Sequence, residues 1–346
     1  MYGYAGKILE VDLSAGEVKE RPVEEGLAQK YLGGLGFNSR LLFDAIPPGA
    51  DPLGPENVLA FSAGTLVGTN APTASRTEAS ALSPLTGRWG TANSGNFWGA
   101  ELKFAGYDGL VIRGRAPEPV YLWVRDGRAD ILPAGTLWGK DAWETVREIR
   151  RGHGDPQIQA AVIGPAGENL VRFASIENGP ADAWARTGLG AVMGSKNLKA
   201  VAVRGTGGVR AARPQEFLRA AEDARRAISS SPFYGSFCRF GTMLAALPYQ
   251  EFGCLPGRNF RQGTVPGWEE NLSRKALPRY SSRGISCIAC PIACAHWVEV
   301  KEGPYAGLRL KDMEVTPVIG FGAGCGVGSL PAVAALCGLC QRLGLD

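Results

Sequence analysis

Nowhere in the 346 residues is there an uninterrupted apolar run of about 18 positions, the least a membrane-crossing helix requires. The basic segment and apolar stretch of a secretory leader are also missing, because residues 1–13 pass directly into alternating apolar and polar positions. Blocks of about five or six like charges do not occur; the net charge of +4 comes from basic residues interleaved with acids, which argues against nucleic acid as a partner. Repeats of fixed period and low-complexity tracts are absent too. These absences predict a soluble, cytoplasmic protein with neither a membrane nor a nucleic-acid partner.

What is present is enough apolar material for a core, 45% hydrophobic against 20% charged residues, and a length that implies about two domains. Glycine, at 48 residues, implies many tight turns and close backbone approaches. The eight cysteines are too few for the disulfide framework of a secreted chain this long, and three crowd into residues 287–294, as ligands do in a reducing compartment.

Residues 7–13 alternate, 14–16 turn and 17–23 return, which predicts a hairpin. A helix over about 24–32 should stop at Gly33-Gly34. Further strands are expected at 57–62, 76–82, 110–113, 120–124, 158–163, 171–176 and 200–203, with a helix from Asp141 through about Arg151 carrying Glu144 in a capping box. After Gly208 the texture changes: residues 214–229 carry a helical period rich in Ala, Arg and Glu, and 329–343 read as another helix. The chain ends three residues later without a closing element, so the second domain is expected to be incomplete.

Cys287, Cys290 and Cys294 put three thiols on one short loop, close enough for three corners of a [4Fe-4S] cubane whose fourth ligand must come from elsewhere. His296, two positions on, would complete a Cys3His zinc set, but zinc motifs more often come as two separated pairs, which favours iron and sulfur. Buried thiols without metal are the remaining reading. Cys337-x-x-Cys340 lies in an apolar helical run where packing accounts for both residues, and neither they nor Cys238, Cys254 and Cys325 stand out as the fourth ligand.

Two stretches rich in Gly, Asn, Ser and Arg suit an anionic ligand. The first joins Ala74-Ser75-Arg76, residues 83–90 and Asn93-Ser94-Gly95-Asn96, and then opens a short helix near Phe97, whose free N–H groups could meet phosphate. The second is residues 185–199. Its Gly188, Gly190 and Gly194 do not form a dinucleotide fingerprint, because the preceding residues 179–182 read as a turn and not a strand. Neither stretch holds a Gly-Lys-Ser or Gly-Lys-Thr after the required spacer, which excludes a P-loop.

Residues 6–13, the Ser83-Pro84-Leu85-Thr86-Gly87 turn, the block over 188–200 and the Cys287/Cys290/Cys294 triad, in this order, resemble the aldehyde ferredoxin oxidoreductases, tungsten or molybdenum bis-pterin enzymes. The resemblance implies an α+β fold: a β-rich, pterin-binding N-terminal domain of two packed sheets over 1–207, then a mostly α-helical, iron–sulfur-bearing domain over 208–346. It implies that Arg76, Asn93 and Gly95, then Ala183, Ala185 and Arg186, touch the pterin or its phosphates, and that the carbonyls of Asn93 and Ala183 hold a bridging Mg2+. Gln341-Arg342-Leu343-Gly344-Leu345-Asp346 is similar to the family's Asp-x-x-Gly-Leu-Asp pterin grip, with Gln341 in place of the first acid, so Asp346 is assigned to the cofactor. Asp182 stands where a basic residue can occur and Ala185 where Gly is common. Glu314 resembles the glutamate near the metal that could position water or accept a proton; its plain alternative is a surface glutamate.

The implied reaction is oxidation of an aldehyde to a carboxylic acid, with electrons leaving through the cluster to ferredoxin, and weak or absent in a chain that stops at Asp346. Alternatives are a tungsten-pterin subunit reducing aromatic acyl-thioesters, a non-catalytic iron–sulfur electron carrier and a zinc-stabilised binding module. A homodimer bridged by a further metal ion occurs in the family, but residues 329–343 lack a Glu-x-x-His pattern to support it.

Overall fold

The alternation at the N-terminus becomes a hairpin that serves two cores at once. In the computed structural model, which describes residues 1–179, 182–311 and 313–346, β1 (Lys7–Asp12) pairs antiparallel with β2 (Glu17–Pro22). Leu9 and Val11 of β1 join the central core, whereas Ile8 packs on the opposite face with Phe37, Leu41 and Leu42. Those three come from α2 (Leu35–Ala45), which follows α1 (Glu25–Tyr31). The double glycine expected to end α1 does more than stop a helix: Leu32 already turns to φ 61°, and Gly34, at φ 51°, is the residue from which α2 starts.

The period-two division recurs in β3 (Leu59–Ala63), β4 (Thr77–Leu82) and β6 (Gly109–Arg113), which with β5 (Trp89–Ser94) complete a six-stranded sheet in the order β2-β1-β6-β3-β4-β5. A second six-stranded sheet, β11-β10-β9-β12-β7-β8, is built from β7 (Val120–Arg125), β8 (Arg128–Pro133), β9 (Gln159–Val162), β10 (Ile176–Asn178), β11 (Asp182–Trp184) and β12 (Leu198–Arg204). Val201 and Val203 of β12 face the central core, and Ala200 and Ala202 face α4 (Ala142–His153) with Val146 and Ile149. Because both of its faces are covered, β12 reads as a nearly continuous apolar run. The fold class is α+β with two packed sheets, as the resemblance implies. The capping box at Asp141 and Glu144 forms with both of its bonds.

Between the sheets lie α3 (Trp98–Phe104) and α6 (Leu189–Ser195), the latter after the short α5 (Pro165–Glu168). Phe61, Trp98 and Trp184 meet there tilted and edge to face, with ring centroids 5.2 to 5.3 Å apart. Each indole is buried and satisfied, Trp98 Nε1 donating to Val201 O and Trp184 Nε1 to Thr77 O. Replacing Trp184 with alanine both leaves a cavity and orphans the Thr77 carbonyl, so a loss of about 3–5 kcal/mol is expected in urea unfolding; a loss below about 1 kcal/mol would contradict this packing.

Three strands escape the sequence pattern. β5 contains Gly90 and Asn93, β8 carries mixed polar residues, and β11 is three residues long. The strand expected at 171–176 starts only at Ile176, since residues 173–175 run beside the chain's last residues: Ser175 N donates to Gly344 O, and Ala174 bridges to Leu345. Of the turn expected at 179–182, Pro180 and Ala181 lie outside the described residues.

The chain divides into Met1–Ala221 with Gln341–Asp346, and Glu222–Cys340; α7 (Pro214–Ser229) crosses the first division. The second unit holds α8 (Tyr234–Phe240), α9 (Ala246–Glu251), α10 (Gly257–Phe260), α11 (Trp268–Asn271) and α12 (Val315–Pro317), with α13 (Leu330–Leu343) at its end. Its helices are joined by a three-stranded antiparallel sheet of β13 (Ser281–Ile285), β14 (Ala295–Glu299) and β15 (Arg309–Lys311), an element no sequence pattern announced. Among the described residues no helix is long and apolar enough to cross a membrane.

Candidate functional site

In the first unit the two anion-suited stretches meet. The β4–β5 register sets Thr77 opposite Ser94 and Glu78 opposite Asn93, so Arg76, Asn93 and Gly95 gather at one end of the first sheet. Arg76 and Asn93 are exposed and Gly95 is buried. On the second sheet, Trp184 turns inward, while Ala183 and Ala185 on either side are half-buried and Arg186 is exposed. Ser83 joins the stretches directly, and Asn178 joins the first of them to β10, the strand paired with β11. Asn178 Nδ2 donates to Ser94 Oγ and to Gly95 O, both at 2.9 Å, and Ser83 Oγ donates to Thr187 O at 2.7 Å. Asn96 answers by donating from Nδ2 to Asn178 O. β5 and β11 are the last strands of their sheets, so among the described residues each has one backbone side without a ladder neighbour.

Next to this corner is an acid no sequence pattern singled out. Glu177, 2% exposed, pairs in register with Ala183 and takes a hydrogen bond from Ser175 Oγ. Burial pushes its carboxyl up to about 8, and Asp182 and Asp346 push in the same direction against the Ser175 hydroxyl. Asp346 is exposed, its N–H directed at Phe173 O.

The rest of the glycine block packs and does not line a loop. All seven residues of α6 are buried, and a Cβ on Gly194 would sit 2.0 Å from Gly167 O, so glycine lets α6 lie against that backbone. Lys196 and Lys199 are also buried. Lys196 Nζ reaches Asn57 O and Gly114 O, and Lys199 Nζ reaches Glu168 and Lys140 O. The second anion-suited stretch therefore shortens to residues up to about Thr187, because these ammonium groups are spent on carbonyls and a carboxylate inside the fold.

In the second unit the loop from β13 to β14 carries Cys287, Cys290 and Cys294, all half-buried. The residue before each of the last two is left-handed, Ala289 at φ 55° and Ala293 at φ 51°. That conformation costs a β-carbon residue on the order of 1–2 kcal/mol, and such strain concentrates at functional sites. Among the described residues no three His, Cys, Asp or Glu side chains close on one point as a metal site would. Tyr234, from α8, donates to Pro291 O at 2.9 Å, and its bond with the Cys238 side chain raises the phenol's pKa, with Cys290 adding to the effect. His296, buried, engages the Cys238 carbonyl through Nε2. A Cβ on Gly241 would lie 2.2 Å from Cys294 O, and the next residue, Thr242, accepts from Val315 N, so this turn links the cysteine loop to the backbone beside Glu314. Glu314 is half-buried and precedes α12 without capping it.

Two family descriptions match the chain: the N-terminal domain of aldehyde ferredoxin oxidoreductase over residues 8–205, and domains 2 and 3 of the same enzyme over 219–346. The chain belongs to the aldehyde ferredoxin oxidoreductase family. Among its relatives, a tungsten-containing aldehyde ferredoxin oxidoreductase of Pyrococcus furiosus is 40% identical, matched over 100% of this chain and 57% of that protein. An aliphatic sulfonate oxidoreductase, WOR-like subunit, from the same organism is 31% identical over 100% and 57%. The solved active-site complex BamBC of benzoyl coenzyme A reductase with 1,5-dienoyl-CoA superposes with a TM-score of 0.86 at 33% identity, over 100% of this chain and 54% of that one. The chain thus spans little more than half the length of these members of the family. The two matched family segments leave out residues 206–218, where α7 begins.

Proposed function

We propose that this chain forms the cofactor-holding part of an oxidoreductase that converts an aldehyde and water into a carboxylic acid, two protons and two electrons, and hands the electrons singly to ferredoxin through a [4Fe-4S] cluster. The observation that carries the reading is the corner where Ser83 binds the two anion-suited stretches together and Asn178 fastens the first to the strand beside β11. A tungsten or molybdenum bis-pterin, when bound, supplies the two-electron acceptor. Residues 1–207 act as its base and 208–346 as the cluster-bearing domain. Arg76 and Arg186 offer exposed cations to phosphate, and the small side chains of Gly95, Ala183 and Ala185 let backbone approach the ligand. The carbonyls of Asn93 and Ala183, on edge strands, hold Mg2+, a hard cation suited to oxygen donors. Asp346 holds the pterin. A buried acceptor left over at this corner, Asn178 Oδ1, also fits a ligand that brings donors.

Cys287, Cys290 and Cys294 bind the cluster. The left-handed Ala289 and Ala293 fit that role, and the thiols close around iron as it binds, because metal ligation and local folding are coupled. Glu314 accepts a proton from the water or aldehyde being oxidised. Ferredoxin is the electron partner in a reducing cytoplasm. A second reading, reduction of an aromatic acyl-thioester, is favoured by the likeness to the benzoyl coenzyme A reductase complex.

The full-length gene product, made without oxygen, separates these readings. We expect iron, sulfide, pterin and tungsten or molybdenum, with dye-linked oxidation of aldehydes. Turnover of benzoyl coenzyme A alone would establish the second reading. Iron without pterin would mean an electron carrier, and one zinc in a colourless protein a binding module; either result overturns the proposal.

A further inference from the structure

We propose that Asn178 is a positioning residue that sets the spacing between the two phosphate-binding stretches and offers its side-chain oxygen to a donor carried in by the cofactor or its cation; this rests on the cofactor reading above. The side chain is 1% exposed, and both protons of its amide are spent on the end of β5, at Ser94 Oγ and Gly95 O. Its own carbonyl takes Asn96 Nδ2 at 3.2 Å. Residues 94–96 are thus fastened to a single asparagine whose backbone belongs to β10, the strand paired with β11, so the first stretch is held at a fixed place relative to the strand that carries Ala183. Its register partner is Asp182, next to Ala183.

The remaining atom is the informative one. Among the described residues Oδ1 is buried without a hydrogen-bond partner, and a buried acceptor in that condition is destabilising until a donor reaches it. Asn38 also leaves its Oδ1 over; Asn178 differs in its place, bonded to Gly95 and one strand away from Ala183. A pterin phosphate offers no donor at neutral pH, but water bound to Mg2+ and the pterin ring both do. Aspartate here would lose both donated bonds and set a negative charge beside the phosphates; alanine would lose the bonds alone.

The test uses the full-length product made anoxically with tungstate, as the unsubstituted protein, Asn178→Ala, Asn178→Asp and, as control, Asn169→Ala. Asn169 is an exposed asparagine whose amide also binds a carbonyl, that of Pro165. Pterin is measured per folded chain, together with the free Mg2+ needed to retain it and hydrogen exchange over residues 93–96 and 183–187 in cofactor-free protein. We expect pterin per folded chain to fall about tenfold or more in both position-178 variants, as for groups that orient metal ligands. The Mg2+ requirement should rise, and exchange should quicken in both segments together. A merely structural asparagine would lower the melting temperature and leave pterin per folded chain equal to that of the control, and that result sinks the inference. If the unsubstituted protein itself contains no pterin, the cofactor reading falls and this inference with it; pterin in the unsubstituted protein and, undiminished, in both variants removes this inference alone.

Discussion

Cys290→Ala is expected to remove nearly all iron and sulfide from the anoxically made protein and to bleach its brown colour, while Cys254→Ala leaves both unchanged. Cys290 is the middle thiol of the loop: its N–H donates to Cys287 O, closing a turn, and it follows left-handed Ala289. On the proposed ligation, taking away one of three local thiolates leaves two, too few to hold a cubane whose fourth ligand is remote. Cys254 is exposed and lies well outside the 287–294 loop in sequence, so it controls for loss of any thiol. Iron and acid-labile sulfide assays decide the matter. Iron retained in Cys290→Ala would exclude this loop as the cluster site, and loss of one zinc instead would support tetrahedral ligation.

The second large effect concerns pH. Glu177 has a folded-state pKa of about 8 against the ordinary 4.5. Between those values the folded chain holds a proton that the unfolded chain has released, so stability must fall as pH rises through the window. The contribution is complete below about pH 4.5 and gone above about 8, at roughly 1.4 kcal/mol per pH unit and therefore up to several kcal/mol. Because the group is fully buried, solvent screens little of it. Glu177→Gln keeps a neutral group of the same shape, so urea unfolding of the cofactor-free chain at pH 5, about 7 and about 9 should show the slope in the parent and its loss in the variant. The variant should be the more stable protein at the alkaline end. Equal slopes in both would show that Glu177 is ionised in the fold.

Much of the fold was legible because its signals are local. The capping box at Asp141, the β1–β2 hairpin and the helical period of α7 depend on residues within a few positions of one another, and each formed as read. β5 and β11 were not legible, since glycine, asparagine and short length hide a strand until a neighbouring strand supplies its hydrogen bonds. The block over 188–200 shows the converse. Its composition marks the family, but the reason for it is a helix pressed onto the backbone at Gly167 and two lysines solvated by internal carbonyls. A string of residues cannot distinguish a glycine that receives a ligand from one that receives another part of the chain.

By itself, then, the order of residues determined the α+β class, the family, and the cysteine loop that could bear iron, because periodicity, turn chemistry and ligand spacing are properties of neighbours in the chain. Only the tertiary structure decided that Asn178 joins residues 94–96 to the strand beside 182–184 and that Glu177 loses its water near Asp182 and Asp346. Those facts depend on which strands share a sheet edge and on how deeply each group is desolvated. Long-range pairing sets both, and no local pattern encodes it.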